Sequence, residues 1–371
     1  MTGHAEPVNV HMTGAEWFGS TPGGLNRYFT DLFAALRQHP GTKVSAAAFG
    51  DPPPGGRSWG PIGGSTLHRV RRSVMAGHGT AWGGTARPAI LDRHFCLYGP
   101  SKVGAQQGNR LVVHFHGPWA AESRMAGAAE VVARAKYLVE RVRYAGAERF
   151  VVLSQHFRDA LVTDYRVPAE RIEIIAPGVD LDRFAAAPRP DGTNERVVLC
   201  IRRLERRMGI DRLIQCWPAV LSAHPGTRLM IIGTGSAESE LRAQVRSSGL
   251  QRAISFEGRV ADDLLAARYA QADCTVVPSV ALEGFGLIAL ESLASGRAPI
   301  VTDCGGLPDS VRGLDPSLIV PAGDVEALAA RIVAALDGAG PTPDRCRAHA
   351  ELFSWAAAAA RHHALYTELR G

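Results

Sequence analysis

The sequence predicts an α/β fold of two doubly wound domains, and three observations lead there. Short apolar runs such as Val8–Met12, Leu111–His116, Val197–Ile201 and Cys274–Val277 alternate with segments of helical spacing. Apolarity within each run is continuous, which points to parallel strands covered on both faces. The alternation occurs twice, on either side of a Pro/Ala/Gly-rich stretch at 185–193, in a chain of 371 residues. In such sheets ligands bind beyond the C-terminal ends of the strands, so a cleft between the two halves is the expected place for a site.

In the first half, Val8–Met12 is the first strand, and the loop Gly19-Ser20-Thr21-Pro22-Gly23-Gly24 leads into a helix. That helix turns Leu25, Tyr28, Phe29, Leu32, Phe33 and Leu36 inward. Val44–Phe49 and Leu67–Val70 are further strand candidates, separated by Gly/Pro-rich loops at 50–65 and 76–88. Leu111–His116 is a strand ending in Gly117-Pro118-Trp119. A long helix over about 121–144 carries Val131, Ala135, Leu138, Val139 and Val142, and Phe150–Leu153 and Ile172–Ile175 close this half.

The second half is cleaner. Strands are expected at Val197–Ile201, Leu229–Ile232, Ile254–Phe256, Cys274–Val277, Ile300–Thr302 and Leu318–Val320. Helices fall between them at about 209–222, 236–248, 262–271, 287–295 and 324–337, with a last one near 354–369. The domains are therefore read as 1–176 and 196–354, joined by a linker at 177–195.

Composition narrows the function classes. Lys plus Arg number 41 against 36 acidic residues, a formal charge of +5 with no dense basic block, so nucleic acid is not called for. The six cysteines form no CxxC pair and several lie in apolar runs, which reads as reduced thiols in a cytoplasmic protein. The N-terminus lacks a signal pattern and no apolar run nears the roughly 20 residues of a membrane span. No His/Cys/Asp cluster has zinc spacing, and Asp180-Leu181-Asp182, a DxD pair in form, reads as a turn cap. No metal site is expected.

Chemistry concentrates at Pro278–Glu291. Glu283 and Glu291 lie eight residues apart around Gly284-Phe285-Gly286, between a short strand and a helix. Glu283 should sit in the loop at the strand's C-terminal end, and Glu291 about two turns into the helix. The glycines allow backbone N–H groups to approach a ligand, and the helix start favours an anion. A pyrophosphate with a polar sugar on either side fits this pattern; two solvated glutamates are the bland alternative. Arg202-Arg203-Leu204-Glu205-Arg206-Arg207 follows the strand ending at Ile201, which favours phosphate contact over a merely solubilising run. Gly233-Thr234-Gly235 lacks the third glycine of a dinucleotide fingerprint, position 238 being Glu. His116 ends a strand and either faces a ligand or is structural, while His114 on the same side packs in the sheet. Gly23-Gly24 before a helix admits a phosphate or sugar, or makes a plain tight turn.

Together these pieces resemble the retaining glycosyltransferases of family 4, with the GT-B fold: two doubly wound Rossmann-like domains whose parallel sheets face across a cleft. The Glu283-x7-Glu291 element is the family's signature. Gly258-Arg259-Val260, Tyr269-Ala270-Gln271-Ala272-Asp273, Pro278-Ser279 and Gly305-Gly306-Leu307-Pro308-Asp309 match around it in order. So do Pro22-Gly23-Gly24-Leu25, His116-Gly117, Pro177-Gly178-Val179-Asp180 and Phe353-Ser354-Trp355, so the match spans essentially the whole chain.

The resemblance implies a role for each matching residue. Glu283 binds donor-sugar hydroxyls, and the backbone at Phe285, Gly286 and Leu287 meets sugar and phosphate. Glu291 binds the ribose, Arg203 the diphosphate, and the backbone near Val260 the base. Gly23 and Gly24 lie against the phosphates, and His116 lies near the sugar and the attacking hydroxyl. The C-terminal helix, 355–371, completes the first domain. One departure stands out: the family's lysine, before a glycine, is Met208 here, leaving Arg207 or Arg206 to supply the second phosphate charge.

The implied reaction moves a hexose-type sugar, from a UDP-sugar by first choice, to an acceptor hydroxyl without a cofactor or metal. A front-face route is expected, because Glu283 is the obvious carboxylate and its family role is hydroxyl binding. The acceptor class spans a small sugar, a cyclitol, a lipid-linked saccharide and a natural product. Weak peripheral contact with a membrane through the basic residues of 121–144 is a further partner reading. A nucleotide-sugar epimerase, a sugar phosphorylase and a non-catalytic sugar-nucleotide-binding module are the alternatives on this architecture.

Overall fold

The computed structural model describes residues 6–76, 89–100, 109–125, 127–186 and 195–370. The chain divides into one unit of 1–178 with 355–371, and a second of 179–354.

In chain order, the first unit runs β1 (Val8–Glu16), α1 (Gly24–Gln38), β2 (Thr42–Phe49), β3 (Gly56–Ser58), α2 (Thr66–Ala76), β4 (Ile90–Arg93) and β5 (Arg110–Phe115). It continues with α3 (Trp119–Met125), α4 (Glu130–Tyr144), β6 (Arg149–Val152), α5 (Gln155–Asp164) and β7 (Ile172–Ile174). The second unit holds β8 (Val197–Ile201), α6 (Ile210–Ala223), β9 (Arg228–Ile232), α7 (Glu238–Ser247), β10 (Ile254–Gly258), α8 (Leu265–Gln271) and β11 (Cys274–Val277). Then come α9 (Leu287–Ala294), β12 (Pro299–Thr302), β13 (Ile319–Val320), α10 (Val325–Leu336) and α11 (Pro343–Glu351). The last helix, α12 (Trp355–Arg370), belongs to the first unit, where Ala359, Leu365 and Tyr366 join the core with Val10, Met12 and Phe29.

Among the described residues the first sheet has the order β3-β2-β1-β4-β5-β6-β7 and the second β10-β9-β8-β11-β12-β13. Neighbouring strands pair in parallel throughout. Strand order therefore reverses between β1 and β4 in one sheet and between β8 and β11 in the other. At such a reversal the flanking loops part to opposite faces and leave a crevice at the strand ends. The core beneath the second crevice is continuous: Val198, Ile231 and Val276 from the strands pack with Leu213 and Trp217 of α6.

Several elements differ from their sequence reading. Leu67–Val70, expected as a strand, lies inside α2. Its apolar residues at 67, 70 and 74 are spaced for a helix. The helix expected over 121–144 is two, α3 and α4, broken at Gly127 with φ +83°. Within α4, Val131, Leu138 and Val142 are exposed rather than packed. The segment 50–65 contains the edge strand β3, and α11 had no apolar periodicity to announce it. Most of the loop expected at 76–88 lies outside the described residues. The strand β4 was missed because its sequence, Ile-Leu-Asp-Arg, carries two charges. Both are buried: Arg93 donates to the carbonyls of Arg143 and Pro100, each at 2.6 Å, and Asp92 is held by side chains described below. Among the described residues no helix is long and apolar enough to cross a membrane.

Candidate functional site

In the second unit the crevice between β8 and β11 is lined by what immediately follows each strand. After β8 comes Arg202, whose backbone N–H donates to Ile232 O at 2.9 Å. Leu204 N–H likewise donates to Thr234 O at 2.9 Å, so the arginine loop is laid along the β9–α7 turn. Gly233 and Gly235 permit that contact: a Cβ on either would stand 1.9 Å from Arg202 O or 2.3 Å from Leu204 O. This backbone packing accounts for the Gly-Thr-Gly pattern.

The arginines then diverge. Arg203 is exposed, and Arg206 pairs at the surface with Glu240 at 2.6 Å. Arg207 donates from Nη1 to Leu282 O at 2.9 Å, which ties it to the loop that presents Glu283. Of the two replacements open for the family's lysine, Arg207 is thus the one turned toward this loop. Arg202 was read only as part of the run, yet its side chain is buried against Glu283, Ser279 and Met208.

After β11 the loop of 278–286 carries Glu283. Leu282 holds φ +52°, unusual for a side chain of its size. Glu283 Oε2 accepts from Arg202 Nη2 and from Ser279 Oγ at 3.3 Å. The backbone of Glu283 is fixed from the β12 side, where Gly306 N–H donates to Glu283 O at 2.9 Å. Gly286, at φ +85°, turns the chain into α9. Phe285 is buried with its ring centroid 5.7 Å from that of Phe353, while Leu287 is half-buried. Glu291 is the fifth residue of α9, just over one turn in rather than two, because the helix starts at Leu287. It is buried and accepts from Tyr269 Oη at 3.0 Å. Val260 is half-buried, just past β10.

The first unit assembles its own residues at the β1–β4 reversal. Gly23 precedes α1 and Gly24 opens it; both are exposed, and no heavy atom lies within 4 Å of where a Cβ would stand on either. The chain's own packing does not demand glycine there. His116 follows β5 and stands edge-on to Tyr28, with ring centroids 5.0 Å apart. Behind it lies a group that chain spacing gave no sign of. Asp92 Oδ2 accepts from Tyr366 Oη at 2.6 Å and stands 3.2 Å from His94 Nε2, while Oδ1 is 3.0 Å from His114 Nε2. Burial pushes the Asp92 carboxyl up, but His114 and His94 outweigh it and hold it well below its usual range. His116 is held well below the ordinary imidazole value, first by burial and then by His94 and His114. Its ring is therefore neutral at pH 7.

His94, His114 and His116 each bring a potential ligand nitrogen within 4.8 Å of the others, although their spacing along the chain is not that of a zinc site. The three rings lie within 21–24° of parallel. The His94 and His114 rings, with centroids 3.7 Å apart, pack face to face as a stack. Asp180 Oδ1 accepts from Arg183 N–H at 3.0 Å and caps a turn.

Two parallel-sheet α/β units of this topology are the GT-B class. Residues 22–183 match the sequence profile of Glycosyltransferase Family 4, and residues 195–338 that of Glycosyl transferases group 1. The chain belongs to this glycosyltransferase family. Among curated relatives, the glycogen synthase of Mycobacterium tuberculosis is 30% identical over 58% of this chain and 52% of its own length. The chain thus spans about half the length of that relative. The D-inositol 3-phosphate glycosyltransferase of Segniliparus rotundus is 29% identical over 91% of this chain and 82% of its own. Among solved structures, the sucrose-phosphate synthase of Thermosynechococcus elongatus superposes with a TM-score of 0.77 at 23% identity, covering 98% of this chain and 99% of that one.

Proposed function

We propose that the chain is a retaining hexosyltransferase that moves a sugar from a nucleotide diphosphate sugar, by first choice a UDP-sugar, to an acceptor hydroxyl. One observation carries this reading. Two carboxylates lie where strand order reverses in the second unit, Glu283 in the loop that Arg202 and Arg207 hold and Glu291 on the helix behind it. Glu291 then takes the ribose hydroxyls, Arg203 the diphosphate, and the amides opening α9 at Phe285, Gly286 and Leu287 the sugar and its phosphate. Glu283 takes sugar hydroxyls through the carboxylate that Arg202 and Ser279 hold, and the backbone at Val260 takes the base.

In the reaction the bond from the anomeric carbon to the diphosphate oxygen breaks, and one to the acceptor oxygen forms on the same face. The acceptor proton passes to the departing phosphate. Negative charge grows on the diphosphate, where guanidinium groups and helix N-termini stabilise it without a metal ion. The amides of Gly24 at the start of α1 and the neutral imidazole of His116 are the first unit's contributions, one toward phosphate and one toward the attacking hydroxyl. Retention by double displacement needs a free carboxylate at the anomeric carbon. Glu283 is engaged with Arg202, which supports the front-face route.

For the acceptor, a cyclitol or small sugar is favoured, supported by the name of the Segniliparus relative. A cytoplasmic location is supported by six buried, unpaired cysteines. The test is a panel of UDP-, GDP- and ADP-sugars offered with inositol phosphates, monosaccharides and lipid-linked saccharides. Products are read by mass spectrometry and anomeric configuration by NMR. Transfer with the donor's configuration kept is expected; inversion, or acceptor-independent conversion of the nucleotide sugar, would overturn the reading.

A further inference from the structure

The cation missing at position 208 has a counterpart six residues earlier. Met208 is buried, and its Sδ lies 2.8 Å from Nη2 of Arg202. The same nitrogen donates to Ser279 Oγ at 2.5 Å and to Glu283 Oε2. The guanidinium therefore lies against the side chain that stands where the family carries lysine, and it touches the carboxylate of the central signature. The other arginines of the run are placed differently: Arg206 is bound to Glu240 at the surface, and Arg207 holds the carbonyl of Leu282.

Burial makes this arrangement costly without a purpose. The Arg202 and Glu283 side chains are 7% and 15% exposed, so both ions have lost most of their water. A buried ion pair of this kind adds little stability over an apolar pair of the same volume. It does fix geometry, because Arg202 and Ser279 both hold Oε2 of the Glu283 carboxylate. The pair is also incompletely satisfied: Arg202 Nε is buried with no hydrogen-bond partner among the described residues. The protein alone does not use the guanidinium fully.

We infer that Arg202 is the second cation of the donor site, carrying the charge that lysine supplies elsewhere in the family. It acts as a positioning residue that holds Glu283 toward the sugar hydroxyls while lending positive charge beside the diphosphate. This rests on the donor-site reading above. It stands as an alternative to the sequence-based assignment of that charge to Arg207 or Arg206. Arg207 instead braces the loop backbone.

The experiment moves the charge. Arg202→Met, Met208→Lys and the double substitution Arg202→Met/Met208→Lys are compared for kcat, donor KM, thermal midpoint, and calorimetric affinity for UDP and GDP. Arg202→Met is expected to lose about 100-fold in kcat. The double variant should recover at least about ten-fold of that, because lysine at 208 restores the cation from the neighbouring position. Near-normal turnover of Arg202→Met overturns the inference. So does a folded double variant as inactive as the single one, since that is the behaviour of a packing residue. If Arg202→Met fails to fold, the folded double variant decides alone. Binding of neither nucleotide by the unsubstituted protein would sink the donor-site reading itself, before any substitution is made.

Discussion

Gly305 lies so close to Glu283 that a Cβ added to it would stand 2.1 Å from the Glu283 carbonyl oxygen. It also holds φ +57°. The turn after β12 thus acts as a gauge for the Glu283 loop, set by the absence of one methyl group. Gly305→Ala should cost about 1–3 kcal/mol through backbone strain. It should also displace Glu283 enough to lower turnover about 100-fold. Calorimetry and steady-state kinetics read the two effects separately, and an alanine variant with normal kcat would show that the loop tolerates the shift.

Tyr269 bridges two parts of α9. Its hydroxyl lies 3.0 Å from a Glu291 carboxylate oxygen, in a buried setting, and 3.3 Å from Ile288 O. Removing the hydroxyl costs about 1–3 kcal/mol where a buried acceptor loses its donor. Tyr269→Phe is expected to weaken nucleoside diphosphate binding about ten-fold, a change titration calorimetry resolves, with a smaller effect on kcat. An unchanged affinity would separate Glu291 from the ribose.

Acid should destabilise the first unit through its buried histidines. His11 is held down to about 4, by burial and then by Arg57, and His362 to about 3, by burial and then by His114. Both stay neutral in the folded protein while the unfolded chain takes up protons near pH 6.5. The unfolded state then binds more protons, so stability is full above pH 6.5 and is lost as pH falls toward 4. Each histidine contributes up to about 1.4 kcal/mol per pH unit across that window. Thermal midpoints measured at pH 7.5, 6, 5 and 4.5 should fall steadily below pH 6.5. A flat profile from 6.5 to 4.5 would contradict the burial argument.

The strand ends of the second unit were legible because each strand there is a short continuous apolar run, and Glu283, Glu291 and Arg203 carry their chemistry in a local spacing. What stayed hidden is non-local. Asp92 and Arg93 look like surface charge in sequence, and only the pairing of β4 between β1 and β5 shows them buried. The Asp92, His94, His114, Tyr366 group joins residues from two strands and the last helix. Arg202 was equally invisible as a partner of Glu283, since 81 residues separate them along the chain. A run of four arginines gives no hint of which one turns inward. The apolar residues of α4 taught the reverse lesson: helical period was right, but Val131, Leu138 and Val142 are exposed.

The charge stabilisation proposed for the diphosphate comes from arginines and amides alone. Transfer should therefore persist in excess EDTA at an unchanged rate, with no stimulation by Mg²⁺ or Mn²⁺. Loss of activity on chelation that either ion restores would show that the phosphate charge is met by a metal.

The central claim is that Glu283 and Arg203 work on a bound nucleotide sugar. It is tested most directly by single-turnover transfer in Glu283→Ala and Arg203→Ala, each shown to be folded by its thermal midpoint. A loss of about 100-fold in each is expected. Rates within a factor of about two of the unsubstituted protein, too small for a lost transition-state contact, would place the chemistry elsewhere.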